Sequence, residues 1–278
     1  MPELPEVETT KRGISPQISG QQVTGVIMRR ANLRWPMPEL TTLLPGHSIQ
    51  RVERRAKYLL LRCSHPGTLI IHLGMSGSLR IVPIESQAQK HDHLDIQFGD
   101  YSLRLRDPRR FGAVLWTESL PTEHPLLVKL GPEPLSEAFN ADYLWERIQN
   151  RQVAIKNLIM DGKVVVGVGN IYATEALYQA GIHPNRAGQR IAKTRLDGLV
   201  AAIKTILAAA IERGGTTLRD FQQEDGKPGY FKQQLQVYGR VGEPCRQCQH
   251  PIQALCIGQR NSAYCCLLYT SPSPRDRG

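Results

Sequence analysis

Apolar residues between positions 23 and 116 come in short runs whose spacing is that of strands. Residues 58–61 (Tyr-Leu-Leu-Leu) and 68–71 (Thr-Leu-Ile-Ile) are two such runs, separated by the turn pair Pro66-Gly67. Further on, Leu94, Ile96 and Phe98 alternate with Asp95 and Gln97. After Gly99-Asp100, Tyr101, Leu103 and Leu105 alternate with Ser102, Arg104 and Arg106. Side chains two apart share one face of a strand, so the pattern predicts a half-buried antiparallel hairpin. Several strands at this spacing predict a sandwich or barrel-like β domain.

The period changes around Leu130-Gly131-Pro132-Glu133-Pro134, which places a domain boundary near residue 132. Beyond it, Tyr143, Leu144 and Ile148 form one helical stripe, and Ile171, Ala173, Ala176 and Leu177 another after Gly169-Asn170. Leu196, Leu199, Val200, Ile203, Ile206, Leu207, Ala210 and Ile211 predict a long amphipathic helix that stops at Gly214-Gly215. Residues 216–239 are rich in Gly, Gln and Asp and read as a long loop of the functional or disordered kind. Ahead of the strands, Pro5, Glu6, Val7 and Glu8, followed by Lys11, Arg12 and Gly13, predict a short capped helix. Proline suits the first turn, acids the positive end, bases the negative end, and glycine a left-handed stop. There is no internal repeat.

Length and charge narrow the class. The 278 residues allow one or two domains and a small appendage. A net charge of +10 and a pI near 9.5 favour a polyanionic partner, nucleic acid ahead of a membrane surface. No apolar run reaches membrane-spanning length, because Lys204 interrupts the most apolar helix; Glu3, Glu6 and Glu8 stand where a signal peptide would be apolar. The expectation is a soluble cytoplasmic protein.

Candidate chemistry begins at the N-terminus. With Met1 removed, Pro2 becomes a free secondary amine beside the Glu3 carboxylate. An α-amino group has a pKa of about 7.7–8.0, against about 10.4 for lysine, so much more of it is nucleophilic near neutral pH. Such an amine attacks a carbonyl-type carbon and holds it as an iminium, while the carboxylate serves as acid and then base. Farther on, Asp107-Pro108-Arg109-Arg110-Phe111-Gly112 sets two guanidinium groups beside an aromatic ring, and Met75 lies in the Gly-flanked loop of 72–77. Arginines meet phosphates and apolar wedges enter base stacks, although each segment alone also fits ordinary packing. Residues 163–171 lack the Gly-Lys-Ser/Thr of a nucleotide loop; a helix N-terminus with bare amides remains, suited to one backbone phosphate.

Five of the six cysteines fall between 245 and 266, which points to metal, whereas Cys63 sits alone in an apolar strand as a reduced core residue. Cys245-x-x-Cys248 followed by Cys265 has the spacing of a zinc ribbon, with the fourth ligand expected at Leu268, which offers no donor. Cys266, Cys256 and His250 are the candidate substitutes, and an incomplete site is the alternative. Residues 269–278 are low in complexity and unlike what precedes them: a disordered or non-native tail.

Together these segments resemble the formamidopyrimidine-DNA glycosylase family. The resemblance rests on 2–9, 54–60, 72–80, 90–93, 107–112, 166–173, 214–218, 225–231 and 258–265, in that order along the chain. It implies an α+β protein with a β-sandwich N-terminal domain (1–132), a helix–two-turns–helix domain (133–236) and a zinc-finger β-hairpin (237–268), with DNA in the cleft. It further implies a monomer that removes oxidised purines from damaged double-stranded DNA and cuts the strand by β,δ-elimination, with one structural Zn2+ and no redox or nucleotide cofactor. By that resemblance Pro2 is the Schiff-base nucleophile and Glu3 the proton donor and acceptor. Lys57 serves β-elimination and Arg260 δ-elimination. Met75, Arg109 and Phe111 fill the hole left by the extruded base. His91, Arg109 and Arg151 contact DNA, Lys156 and Asn170 contact phosphate, and residues 225–231 close over the lesion. Cys245, Cys248 and Cys265 are the metal ligands. Leu268 departs from the family's fourth cysteine, which touches both DNA affinity and δ-elimination. An endonuclease VIII-type pyrimidine enzyme, a non-catalytic damage-binding protein and a zinc-ribbon adaptor are the rivals; the adaptor leaves Pro2-Glu3 unexplained.

Overall fold

The computed structural model describes residues 2–64, 66–215 and 234–267. The chain divides into two compact units, residues 1–129 with 211–230, and residues 130–210 with 231–278.

In the first unit, helix α1 (Leu4–Ile18) and the single-turn helix α2 (Leu40–Leu43) accompany two antiparallel four-stranded sheets. One has the order β1 (Gly25–Met28), β6 (Asp92–Phe98), β7 (Tyr101–Arg106), β5 (Ser78–Pro83). The other runs β2 (Ile49–Arg55), β3 (Tyr58–Cys63), β4 (Thr68–His72), β8 (Ala113–Thr117). Leu59, Leu61, Leu69 and Ile71 of the second sheet share one core with Leu79, Leu94, Ile96, Leu103 and Leu105 of the first. That is a sandwich, built from the period-two positions. Cys63 belongs to this core, and burial pushes its thiol up to about 11, an inert state.

Two local expectations change. Helix α1 does not stop at Gly13 but runs to Ile18, because Ile14 and Ile18 join the core together with Val7. A glycine inside a helix costs about 1 kcal/mol, less than burying one isoleucine returns. The β6–β7 hairpin is buried on both faces rather than half-buried. Its polar face is satisfied internally. Arg104 donates to both carboxylate oxygens of Asp95 at 2.8 Å and to the carbonyls of Ser86 and Gln87, while Arg29 reaches Asp95 at 2.6 Å.

The second unit is helical with a small hairpin. Helices α3 (Ala141–Ile148), α4 (Ile155–Met160), α5 (Asn170–Gln179) and α6 (Lys193–Glu212, whose last two residues fall in the first unit) precede β9 (Gln253–Ile257) and β10 (Arg260–Tyr264). Asn140 caps α3 by accepting from the Tyr143 amide at 2.9 Å. Val164, Val165, Val166 and Val168 are fully buried, so the apolar part of the glycine-containing segment is core and only its end at α5 presents amides. A separate small cluster, Tyr178, Val237, Cys245, Ile252, Ala263 and Cys265, fixes the hairpin to α5. Among the described residues no helix is long and apolar enough to cross a membrane.

Candidate active site and metal centre

Pro2 and Glu3 are buried at the N-terminus of α1, and Glu3 is only 2% exposed. Glu3 is the helix N-cap: its side chain accepts from the Glu6 amide, and its own amide donates to Glu6 Oε2 at 2.8 Å. This reciprocal box satisfies two orphan donors and fixes the backbone from which Pro2 projects. Gly215, at φ +79, passes so close that a Cβ there would sit 2.8 Å from Glu6 Oε1. The terminus is packed on two sides.

Lys57 lies in the β2–β3 turn, after Ala56 at φ +55. The turn is tied to α1 through Glu8, which accepts from Arg54 at 2.8 Å and Lys11 at 2.9 Å, while Arg54 Nη1 also donates to the Ala56 carbonyl at 2.9 Å. Burial pushes the Glu8 carboxyl up, but hydrogen bonds from Lys11 and Arg54 outweigh it and the net displacement is downward. His72 stacks at a tilt on Tyr58, 4.8 Å between centroids. Burial, helped by the Lys57 and Arg34 cations, lowers His72 to about 4, so the ring is neutral and its Nδ1 accepts from the Gly74 amide at 3.0 Å.

Three loops converge on Asp107, whose side chain is inaccessible. Ser76 Oγ donates to Asp107 Oδ1 at 2.9 Å and accepts from the Arg109 amide at 3.2 Å; the Gly112 amide donates to Oδ2 at 2.8 Å. The Asp107 amide donates to the His91 carbonyl at 3.0 Å, and its own carbonyl pairs with His93 Nε2 at 2.9 Å. Gly74, at φ +65, lets the first loop pass so close that a Cβ there would sit 2.4 Å from the Gly112 amide nitrogen. The carboxylate and backbone of one residue, Asp107, thus tie together the loops that carry Met75, His91, Arg109 and Phe111. Phe111 is 46% exposed, and the Arg109 guanidinium rests 5.1 Å from its ring centre. An exposed aromatic on so tightly held a loop is a candidate contact surface.

In the second unit, Lys156 is fully buried, unusual for an ammonium. Its Nζ donates to Asn170 Oδ1 at 2.6 Å, Ser262 Oγ at 2.5 Å and the Asn261 carbonyl at 3.3 Å. Asn170 Nδ2 donates to that same carbonyl at 3.2 Å. The first turn of α5 is thus joined to β10 directly beside Arg260, which is exposed. The hairpin tip seats on α4, where Gly258 leaves no room for a Cβ against Asn157. Arg151 is exposed in the loop after α3, its carbonyl held by the Gln189 amide at 2.9 Å. Residues 225–231, expected to close over a lesion, lie outside the described residues.

The sulfurs of Cys245, Cys248 and Cys265 lie within 4.8 Å of one another, with Cys248 and Cys265 3.2 Å apart. Zinc–thiolate bonds of about 2.3 Å place tetrahedral sulfurs roughly 3.8 Å apart, so the cluster fits such an ion. The Tyr178 hydroxyl is 3.2 Å from Cys245 Sγ. Burial disfavours the Cys245 thiolate, but hydrogen bonds, the Tyr178 hydroxyl first among them, bring it down to about 6. Cys266 is half-buried outside the cluster, and Cys256 and His250 are exposed.

Several residues that position this chemistry were not singled out from sequence. Ser76 and Asp107 sit inside motifs that drew attention to their neighbours. Glu175 was hidden within a helical stripe. It is buried, and its carboxylate accepts from the amides of Gln236, Val237 and Tyr238 at 2.8, 3.0 and 2.8 Å. Polar residues in apolar periodicity are the signal that finds them.

The comparisons with known proteins agree with this layout. Residues 1–114 match the formamidopyrimidine-DNA glycosylase N-terminal domain, and residues 130–222 its H2TH domain. The formamidopyrimidine-DNA glycosylase of Syntrophotalea carbinolica is 56% identical over 95% of this chain and 98% of its own. That of Shewanella loihica is 55% identical over the same shares. Among solved structures, the wild-type Lactococcus lactis protein complexed with DNA containing N7-benzyl-Fapy-dG is 33% identical with a TM-score of 0.89, covering 97% of this chain and 100% of that one. The L. lactis complex with abasic-site DNA is 32% identical at 0.90 over the same shares, and the Thermus thermophilus protein is 35% identical at 0.86, covering 98% and 100%. A terminal proline on a capped helix, three loops converging on a buried aspartate and a thiol-bearing hairpin occur here on a chain that shares this likeness over nearly its whole length, and the chain belongs to the formamidopyrimidine-DNA glycosylase family.

Proposed function

We propose that the chain is a bifunctional DNA glycosylase and abasic-site lyase that removes oxidised purines, 8-oxoguanine and formamidopyrimidines, from duplex DNA. The observation that carries the reading is the packed, reciprocally capped Pro2-Glu3 terminus, since a frayed tail could not hold an amine against one carbon. Its relatives bear the same family name, and solved neighbours hold damaged or abasic DNA.

The target carbon is inaccessible in stacked DNA, so the nucleotide is flipped out at a cost of a few kcal/mol. Met75, Arg109 and Phe111 replace the lost stacking, and His91, Arg151 and Asn170 hold the backbone; Lys156, expected from the resemblance to contact phosphate itself, is fully buried and acts by orienting the Asn170 side chain. The Pro2 nitrogen displaces the base at C1′, losing its own proton as the base leaves with one; Glu3 then protonates O4′ as the C1′–O4′ bond breaks, which opens the sugar ring and leaves C1′ double-bonded to the Pro2 nitrogen. The resulting iminium acidifies the 2′ protons. Loss of one expels the 3′ phosphate, and a second elimination expels the 5′ phosphate, with Lys57 and Arg260 as the respective proton-handling groups. Cys245, Cys248 and Cys265 would hold a zinc ion, which would supply folding energy to the hairpin that carries Arg260. Residues 1–132, 133–236 and 237–268 serve as catalytic, helix–two-turns–helix and finger domains of a cytoplasmic monomer, with 269–278 outside them.

The test is borohydride trapping on a duplex with one 8-oxoguanine opposite cytosine, followed by mass mapping of the cross-linked peptide. An adduct on Pro2 is the expected result. Binding without an adduct would leave a damage-binding protein and refute the catalytic reading.

A further inference from the structure

Among the loops tied to Asp107, the one that carries His91 has an unusual backbone. Gln89, Lys90, His91 and Asp92 form a turn closed by the Asp92 amide, which donates to the Gln89 carbonyl at 3.1 Å. His91, the third residue of that turn, has φ +78. A third residue with φ of about +80° is the glycine position of such a turn, and a side chain occupies it only at a cost. Strain of this kind persists where the surroundings over-determine it, and it clusters at functional sites. Here the surroundings are explicit. Asp92 is 4% exposed, and its Oδ2 accepts from the Gln89 amide at 2.8 Å, so backbone and carboxylate close the turn twice. The carboxylate is itself caged by Arg80 at 3.4 Å, Arg106 at 3.7 Å and Arg104 at 3.8 Å. Arg106 also donates to Gln89 Oε1 at 3.0 Å, and Arg104 holds the Ser86 and Gln87 carbonyls just upstream. On the other side, the His91 carbonyl accepts from the Asp107 amide at 3.0 Å.

We propose that Asp92 is a positioning residue for DNA binding, its caged carboxylate holding His91 in a left-handed conformation that places it for a backbone phosphate before DNA arrives. The fold bears the backbone cost, and association does not have to order that side chain. This role rests on the DNA contact already proposed for His91.

The test measures affinity for a duplex with an abasic-site analogue, at fixed salt, in a double-mutant cycle of Asp92→Ala and His91→Ala. Asp92→Ala frees the turn and should weaken binding roughly two- to tenfold, the range for one side chain that must be ordered on association. Loss of a carboxylate beside arginines would by charge alone tighten binding to a polyanion, so the expected sign is opposite to the electrostatic one. Asp92→Asn loses the charge but keeps an acceptor for the Gln89 amide, and should bind at least as tightly as the wild type. In the His91→Ala background, Asp92→Ala should have no further effect. An undiminished effect there, or Asp92→Asn as weak as Asp92→Ala, would overturn the positioning role. If Asp92→Ala does not fold, Gln89→Pro deletes the amide that the carboxylate holds and should show the same loss; wild-type affinity in that variant would overturn the role. His91→Gly should unfold at higher urea than His91→Ala, because both lose the ring and only alanine keeps the strain. Equal midpoints would count against a strained turn and overturn the role. A wild type that binds no such duplex would remove the DNA reading and the role with it, whereas a wild type that binds no better than Asp92→Ala would overturn the role alone.

Discussion

Replacing Ser76 with alanine tests whether the wedge is held ready before DNA arrives. Ser76 Oγ links the Met75 loop to Asp107, donating to Oδ1 at 2.9 Å while accepting from the Arg109 amide at 3.2 Å. Both Ser76 and Asp107 are buried, so water does not replace the lost donor to the carboxylate, and a hydrogen bond to a charged group is worth about 1.5–3 kcal/mol. Arg109 is exposed and its amide can turn to water, so it adds little. The expected destabilisation of Ser76→Ala is about 2 kcal/mol, read as a shift of the urea midpoint at constant slope. Met75, Arg109 and Phe111 would then have to be ordered on binding, at about 0.5–1.5 kcal/mol each. Affinity for a duplex with an abasic-site analogue should fall roughly tenfold or more at fixed salt. Cleavage of a single-stranded abasic oligonucleotide, which needs no wedge, should be nearly unchanged. A stability loss of this size with unaltered duplex affinity would refute the idea that the Ser76–Asp107 link sets the wedge.

Three further outcomes follow from the same geometry. Tyr178→Phe removes the hydroxyl beside Cys245 and should weaken zinc binding by about tenfold, the lower end for outer-shell losses, as measured by competition with a chromophoric chelator. Glu175→Ala strands three amide donors at 236–238 and should cost at least about 3 kcal/mol, with hydrogen exchange rising first in that segment. His72 titrates near 4 when folded against an ordinary 6.5, so the unfolded chain binds more protons between those values. Stability should therefore fall as pH drops from about 6.5 to about 4, and His72→Gln should flatten that part of the urea-midpoint profile.

What the sequence by itself determined was whatever depends on neighbours along the chain. Short apolar runs at 58–61 and 68–71 and the alternation of 94–105 named strands, the apolar repeat of 196–211 named a helix, and Cys-x-x-Cys with a third cysteine named a metal hairpin. Each reading uses residues a few positions apart, whose relative placement the backbone geometry of strand or helix dictates. The Pro2-Glu3 chemistry was legible for the same reason, since an α-amine and the next carboxylate are always adjacent. The tertiary structure decided everything that rests on distant partners. Gly13 did not end α1, because Ile14 and Ile18 found a core to enter. Arg104 and Asp95 became interior groups because each had the other and a loop of carbonyls to bond. Ser76 and Asp107 are 31 residues apart, and Lys156 and Ser262 are 106 apart, yet each pair ties together segments that carry candidate site residues. A buried polar group is tolerable only when its partners are in place, and those partners are supplied by folding rather than by proximity in sequence.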